Sequence, residues 1–178
     1  MLYGLGPLLV IHVLAALVAI VSGAITFLMP KGTRAHRRVA AVYVAAMIVT
    51  TTVVIFVPAT VLRFGDSDFG FFHLFILVGF VSSALGSYGL WKWRKTRDPK
   101  WLRMHQVRFS FSYAGLLMAG FAQLATNPRF GIVTELTPPV FWLLFATSNL
   151  LILGVAVVMV QRYLLRGNPL RRYAMRGA

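Results

Sequence analysis

Four histidines are the residues of this chain whose type and spacing could do chemistry. His12 lies within an apolar run that has no charged side chain, and His73 lies near the start of another. His36 and His105 each stand among basic residues where a further apolar run begins. A neutral imidazole can bind haem iron, zinc or copper, or carry a proton. Because an ionisable ring in apolar surroundings is costly without a partner, we expect His12 and His73 above all to have a specific one.

The elements that must position these histidines are apolar runs long enough to cross a lipid bilayer. Of the 178 residues, 58% are hydrophobic and only 12% are charged, whereas soluble domains carry about 25% charged residues. About 20 apolar residues match the hydrocarbon thickness of a bilayer, and a helix satisfies its own backbone there. The sequence therefore predicts an all-α fold, an integral membrane bundle that forms one domain over residues 1–161 and ends in a basic cytoplasmic tail over 162–178. Its five predicted transmembrane helices cover residues 4–29, 39–62, 71–91, 109–127 and 140–161.

The net charge of +14 is distributed unevenly between the predicted loops. All but two of the 18 lysines and arginines fall in the loop after the first helix, the loop after the third, or the tail; the other two are Arg63 and Arg129. By the positive-inside rule this pattern places the N-terminus outside and the C-terminus in the cytoplasm. It predicts a multi-pass protein of a bacterial cytoplasmic (inner) membrane, with anionic lipid against its cytoplasmic face. Because membrane topology accounts for the positive charge, nucleic acid is not an expected partner.

The helix lengths place the histidines at two depths. His12 and His73 each lie 18 residues ahead of the residue at which their apolar run ends, which is roughly 27 Å at 1.5 Å per residue. They are thus expected near the outer boundary of the hydrocarbon, while His36 and His105 begin their helices near the inner boundary. The sequence predicts two pairs, His12 with His73 on the outer side and His36 with His105 on the inner side.

Two histidines at one depth on neighbouring helices are what a six-coordinate haem needs from a protein. A haem brings four nitrogens of its own and asks for two axial ligands, whereas zinc usually needs three or four protein ligands. The chain has no cysteine, and its four acidic residues all fall in predicted loops: Asp66, Asp68, Asp98 and Glu135. Zinc bound by the outer pair with a loop carboxylate, or copper bound by histidine and methionine, stays open as an alternative. The available ligands favour haem b, as one or two groups.

Further residues would complete such sites. The ring nitrogen that does not bind iron needs a hydrogen-bond acceptor, such as a backbone carbonyl or a hydroxyl group. Haem propionates are anions, and arginine can bind them with two parallel hydrogen bonds. Arg129 is a candidate on the outer side, and Arg108 is one on the inner side, where lipid phosphates are the competing partners. The candidate cofactor-binding residues are therefore four metal-ligating histidines and two arginines: His12, His73, His36, His105, Arg129 and Arg108.

Short motifs in the first two helices support a resemblance to a known family. They are His12, Gly23, Pro30-Lys31-Gly32, His36-Arg37-Arg38, Tyr43 and Met47, with His105 and Arg108 in the second half. Over most of residues 8–130 the chain resembles a family of bacterial predicted membrane proteins, the domain-of-unknown-function 2306 type, which has no established activity. In its layout it also resembles the di-haem four-helix cores of cytochrome b-561-like proteins. That second resemblance implies two histidine pairs, each joining alternate helices at one face of the membrane.

The favoured hypothesis is an integral membrane b-type haem protein that transfers electrons across or within the membrane, and so a transmembrane electron-transfer oxidoreductase. Its partner would be a redox protein or a larger membrane complex. Two alternatives stay open: a cofactor-free accessory subunit or assembly factor of a larger membrane complex, and a small transporter or lipid-handling protein. A serine hydrolase is not expected, because Ser82 and Ser83 lie within an apolar run that has no acidic residue to complete a triad.

Overall fold

Helices make up most of the chain that the computed structural model describes, which is residues 6–59, 63–126 and 137–166. In chain order they are α1 (Pro7–Leu28), α2 (Arg34–Val54), α3 (His73–Thr96), α4 (Pro99–Thr126) and α5 (Pro138–Val160), and a π-helix (Gln161–Leu165) continues α5. Those ranges contain no strand apart from an isolated bridge between Arg63 and Gly70. The predicted all-α fold is confirmed.

Within the described residues, four helices are long and apolar enough to cross a membrane: α1, α2, α3 and the segment Pro138–Leu165, which is α5 with its π-helix. The remaining predicted span, 109–127, corresponds to the second part of α4, and the first part of that helix is basic. Many side chains that the bundle leaves exposed are large and apolar, such as Leu28, Leu150 and Leu151. Such surfaces suit contact with lipid.

Pro58 determines where α2 ends. The helix stops at Val54, so the predicted boundary at residue 62 is too late. Proline has no N–H to donate to the carbonyl four residues before it, and it disfavours helix at the residue that precedes it. The chain turns instead, and the Val57 N–H donates to the Val54 carbonyl at 3.0 Å.

A turn of only two residues, Arg97 and Asp98, joins α3 to α4. Arg97 ends α3 in the left-handed conformation, with a φ of 57°. Asp98 accepts the Lys100 N–H at 3.0 Å, and Pro99 takes the first helical position, where its missing N–H does no harm. This cap makes α4 begin ten residues earlier than predicted, and the short interfacial lead-in expected before it is part of the helix.

The helices pack as two hairpins, with α1 along α2 and α3 along α4, and α5 packs on α4. The hairpins meet through α2–α3 and α1–α4 contacts. A buried core cluster lies between them: Ala19, Tyr43, Ala46, Met47 and Leu116. Alanines at two of these positions let helix backbones approach closely, as is common in membranes. We call the end of the bundle that carries residues 31–38 and 92–108 the basic end, and the other, with residues 55–73, the opposite end.

Hydroxyl groups connect the helices at the centre of the bundle. Tyr43 Oη of α2 shares a hydrogen bond of 3.0 Å with Ser112 Oγ of α4, which shares another of 2.8 Å with Ser83 Oγ of α3. Tyr113 Oη of α4 donates to the Ile20 carbonyl of α1 at 3.2 Å. The bonds of Tyr43 and Tyr113 tie the two hairpins together, and the bond between Ser112 and Ser83 joins the two helices of the second hairpin.

The first helix reaches this centre because residue 23 is glycine. A Cβ at Gly23 would lie 2.5 Å from two carbons of the Tyr113 ring and 3.1 Å from the Tyr43 ring. Two tyrosines from the neighbouring helices therefore occupy the space that any larger side chain would need.

Gly23→Ala should destabilise the bundle by about 1–3 kcal/mol, because the added methyl overpacks the contact with both tyrosines. The check is the thermal unfolding midpoint of the purified protein in detergent. Gly154→Ala on α5 is the matched control, since no atom lies within 4 Å of a Cβ there. Equal midpoints for the two variants would show that the tyrosines move aside without cost.

Candidate functional site

The two histidines predicted on the outer side both hydrogen-bond to α2 or to the turn that follows it. His12 Nδ1 of α1 lies 3.1 Å from the Thr50 carbonyl, and since a carbonyl only accepts, this nitrogen carries the proton. His73 Nε2 lies 3.2 Å from both the Val54 and the Val57 carbonyls. The two rings are close enough for their charges to interact. The structure thus brings this pair together at the opposite end of the bundle.

Both ring nitrogens of His73 are occupied. Nδ1 accepts the Gly70 N–H at 3.1 Å, so Nε2 carries the proton that faces the two carbonyls. The Val54 carbonyl is the one that Pro58 leaves without its helical donor. His73 therefore caps the end of α2, and in this position it has no lone pair to offer to a metal.

At the basic end, His105 of α4 donates Nδ1–H to the Gly86 carbonyl of α3 at 3.0 Å. This bond requires close approach of the two helices. A Cβ on Gly89 would lie 2.9 Å from the Trp101 carbonyl oxygen and 3.0 Å from the backbone nitrogen of His105. The bond fixes the ring and its tautomer, so a neutral His105 keeps a lone pair on Nε2.

His36 lies in the first turn of α2, near His105. Thr33 caps that turn by accepting the His36 N–H at 3.1 Å, so the cap fixes where α2 begins. The residue is 9% exposed, and its Nδ1 is buried with no hydrogen-bond partner among the described residues. The two imidazoles are close enough for their charges to interact. A buried polar atom without a partner destabilises the folded protein by roughly 1–3 kcal/mol, so a ligand that bonded to this nitrogen would stabilise the fold.

One cleft of about 960 Å³ is lined by both of these histidines. Ligand pockets usually measure about 300–1,000 Å³, so this one could hold a large small molecule. Its walls are mainly apolar side chains from α2 and α5, among them Ala41, Val44, Ile48, Leu151, Val155 and Met159. Across the cleft, α2 and α5 face each other and, within the described ranges, are not in contact.

Polar side chains gather where the cleft meets the basic end, among them Lys31, Arg37, Ser87, Arg94, Gln106 and Ser110. Lys31 caps α1 by donating to the Thr26 and Phe27 carbonyls at 2.6 and 2.9 Å. Arg37 and Arg94 are exposed at the rim, where they can turn toward a bound anion. The cleft therefore suits an amphipathic molecule with a broad apolar body and an anionic edge.

Among the described residues, the other predicted site residues do not line this cleft. Arg108 is exposed on α4 and is not part of the lining. Arg129 and Glu135 lie outside the described residues. At the opposite end Asp68 pairs with Arg63 at 2.8 Å. Over residues 6–59, 63–126 and 137–166, no group of three or more histidine or acidic side chains could hold a metal ion. Bare zinc therefore has no ligand set in the part of the chain described.

Two lining residues of α4, Phe109 and Tyr113, were not predicted as site residues. They follow the predicted His105 at intervals of four residues and so share its face of α4, and all three line the cleft. That spacing could have been found in the sequence. The contribution of Arg94 could not, because it depends on how α3 is rotated against α4.

Comparisons with protein-family models, with curated proteins and with solved structures gave no significant match to this chain. The argument about function therefore depends on the residues and the geometry described above.

We expect His73→Ala to destabilise the protein by about 1–3 kcal/mol, because the Val54 and Val57 carbonyls lose the bond from Nε2–H and Val54 keeps only the Val57 N–H. Pro58→Ala would return an N–H to the Val54 carbonyl, so His73→Ala should cost less in that background. Thermal unfolding of the two single variants and the double variant gives the coupling energy. Strictly additive effects would contradict the capping role of His73.

Proposed function

We propose that this protein is an integral membrane haem protein that holds one haem b in the cleft, with His36 and His105 as the axial ligands. The observation that carries the proposal is that two imidazoles, from α2 and α4, line one cavity at the basic end. Bound haem would supply one-electron transfer, so the activity is movement of electrons to or from a redox partner.

The state of each ring fits the role of an axial ligand. A metal-binding histidine usually donates its other N–H to a carbonyl or carboxylate, which orients the ring. His105 makes this bond with the Gly86 carbonyl and keeps Nε2 for the iron. His36 offers a buried nitrogen that has no partner among the described residues. Both rings are thus ready for a ligand before one is bound.

The rest of the cleft fits the shape and charge of the group. Apolar walls from α2 and α5 exclude water from the ring faces, and alanines at positions 40, 41 and 45 leave room beside α2. At the rim, Arg37 and Arg94 can hydrogen-bond carboxylates, with Lys31 close by. The protein's part is to bind, orient and shield the group.

The opposite pair is not included in the proposal as a second haem site. His12 keeps its Nε2, but His73 would have to release Gly70 and the carbonyls at the end of α2 before it could bind iron. These bonds compensate for Pro58, so we assign His73 to the fold and limit the proposal to one haem.

The membrane arrangement that we propose has five transmembrane helices, with the apolar part of α4 as the fifth. The positive-inside rule then puts the basic end in the cytoplasm, the N-terminus outside, and the protein in a bacterial inner membrane. The haem would lie in the cytoplasmic half of the bilayer, and its redox partner, alone or within a larger membrane complex, would approach from that side.

The test is an absorption spectrum of the protein purified in detergent after expression with ample haem. We expect a Soret band and, after reduction, the sharp visible bands of a six-coordinate low-spin haem. His36→Ala and His105→Ala should lose the low-spin bands, and added imidazole should restore them. His12→Ala and His73→Ala are the matched controls and should keep them. A haem-free native protein would sink the proposal and favour the cofactor-free accessory subunit.

One further readout separates ligation from structure. Because iron ligation would add a bond that the haem-free chain lacks, His36→Ala should lower the stability of the haem-saturated protein more than that of the haem-free protein. The same variant should be less stable than native protein when both are saturated with haem. A loss of stability in the haem-free state alone would mean that His36 serves the fold.

A further inference from the structure

A second candidate site lies beside the cleft, where α3 meets the start of α4, and it shares Trp91 with the cleft lining. Six lysine and aromatic side chains form it, and we call them the lysine–aromatic site: Tyr88, Trp91, Lys92, Lys95, Lys100 and Trp101. Lys92 Nζ lies 5.7, 5.5 and 5.8 Å from the centres of the Tyr88, Trp91 and Trp101 rings. Lys95 Nζ lies 4.2 Å from the centre of the Trp91 ring. Cations are thus held against aromatic faces in a fixed arrangement.

The fold brings this site together through the short α3–α4 turn. The absence of a side chain at Gly89 lets the first turn of α4 lie directly on α3. Trp101 therefore reaches Tyr88, with ring centres 5.7 Å apart and planes nearly perpendicular. Tyr88 also contacts Trp91 at 5.7 Å. The aromatic rings are positioned by packing, and the lysines extend over them.

Among the described residues, only one of the three lysines of the site forms an ion pair with a carboxylate. Asp98 forms an ion pair with Lys100 at 2.9 Å. The hydrogen bond from the Lys100 backbone N–H, and to a lesser degree the bond from the Lys100 side chain, lower the pKa of Asp98 below its usual range. This carboxylate therefore stays ionised. In the part of the chain described, the other ion pair joins Arg63 to Asp68 at the opposite end. No carboxylate there neutralises Lys92 or Lys95.

Lys92 and Lys95 lie three residues apart on one helix and contact the same ring, so their charges repel. Neither ammonium makes a hydrogen bond with another described residue, and each has three N–H groups to donate. Lys31 differs, since its ammonium already caps α1. An anion between Lys92 and Lys95 would relieve the repulsion and accept these bonds.

The site lies at the depth where such an anion is abundant. Tryptophan and tyrosine rings beside cations at a helix end mark the membrane–water interface, where lipid phosphates lie. Trp91 is 47% exposed and offers an apolar face for the adjoining acyl chain. We propose that the lysine–aromatic site binds the phosphate group of an anionic phospholipid, held between Lys92 and Lys95.

The experiment compares lipid binding by native protein and by Lys92→Gln/Lys95→Gln in nanodiscs that contain phosphatidylglycerol or only phosphatidylcholine. Retained lipid is counted by native mass spectrometry, and helix content is checked by circular dichroism. At about 1 kcal/mol for each hydrogen bond from a lysine to the phosphate, the double variant should bind phosphatidylglycerol about 30-fold more weakly. Phosphatidylcholine should bind weakly to both proteins.

Arg34→Gln/Arg38→Gln is the matched control, because it removes two exposed cations from the other basic segment. It should retain phosphatidylglycerol as native protein does. An equal loss in both double variants would overturn the site in favour of general charge attraction. Release of the bound lipid by millimolar inorganic phosphate would overturn the lipid assignment in favour of a free phosphate ion. Neither readout requires haem, so this test stands apart from that of the proposed function.

Discussion

Hydrocarbon supplies no hydrogen-bond partners, and this bundle meets that constraint by donating side-chain N–H and O–H groups to backbone carbonyls of neighbouring helices. His12 donates to a carbonyl of α2, His105 to one of α3, and Tyr113 to one of α1. Each bond joins two different helices. These polar side chains would destabilise the fold if they were buried without a partner, and here they connect the helices of the bundle. Among the described histidines, His36 is the one whose buried ring nitrogen has no such partner.

The same constraint leaves the histidines in two different hydrogen-bonding states. An imidazole that donates through one nitrogen keeps a lone pair on the other, and this is the state of His12 and His105. An imidazole that also accepts a hydrogen bond has nothing left for a metal, and this is the state of His73. The difference originates in Pro58, because the carbonyl that this proline leaves without its donor is the one that His73 caps.

Hydropathy was sufficient to predict that the chain forms five long helices, and helix rise was sufficient to predict which histidines lie at the same end of the bundle. Both are properties of the chain taken one segment at a time. The end of α2 could also have been predicted from the sequence, because Pro58 restricts the helix there. The early start of α4 could have been predicted from Asp98 followed by Pro99. The cleft could not have been predicted, because its walls depend on how α2 and α5 are rotated and on the distance between them. The cap that His73 provides likewise depends on a contact between distant segments.

The position of α5 has a further consequence. Its first turns are fixed to the start of α3 by aromatic contacts, such as Phe71 with Phe145 at 5.3 Å, and its length is supported by α4. Toward the basic end it borders the cleft without contacting α2 within the described ranges, so the cleft has a side opening between the two helices. In the proposed membrane arrangement this opening would face the acyl chains, and a hydrophobic molecule could reach the cleft from the bilayer without crossing water.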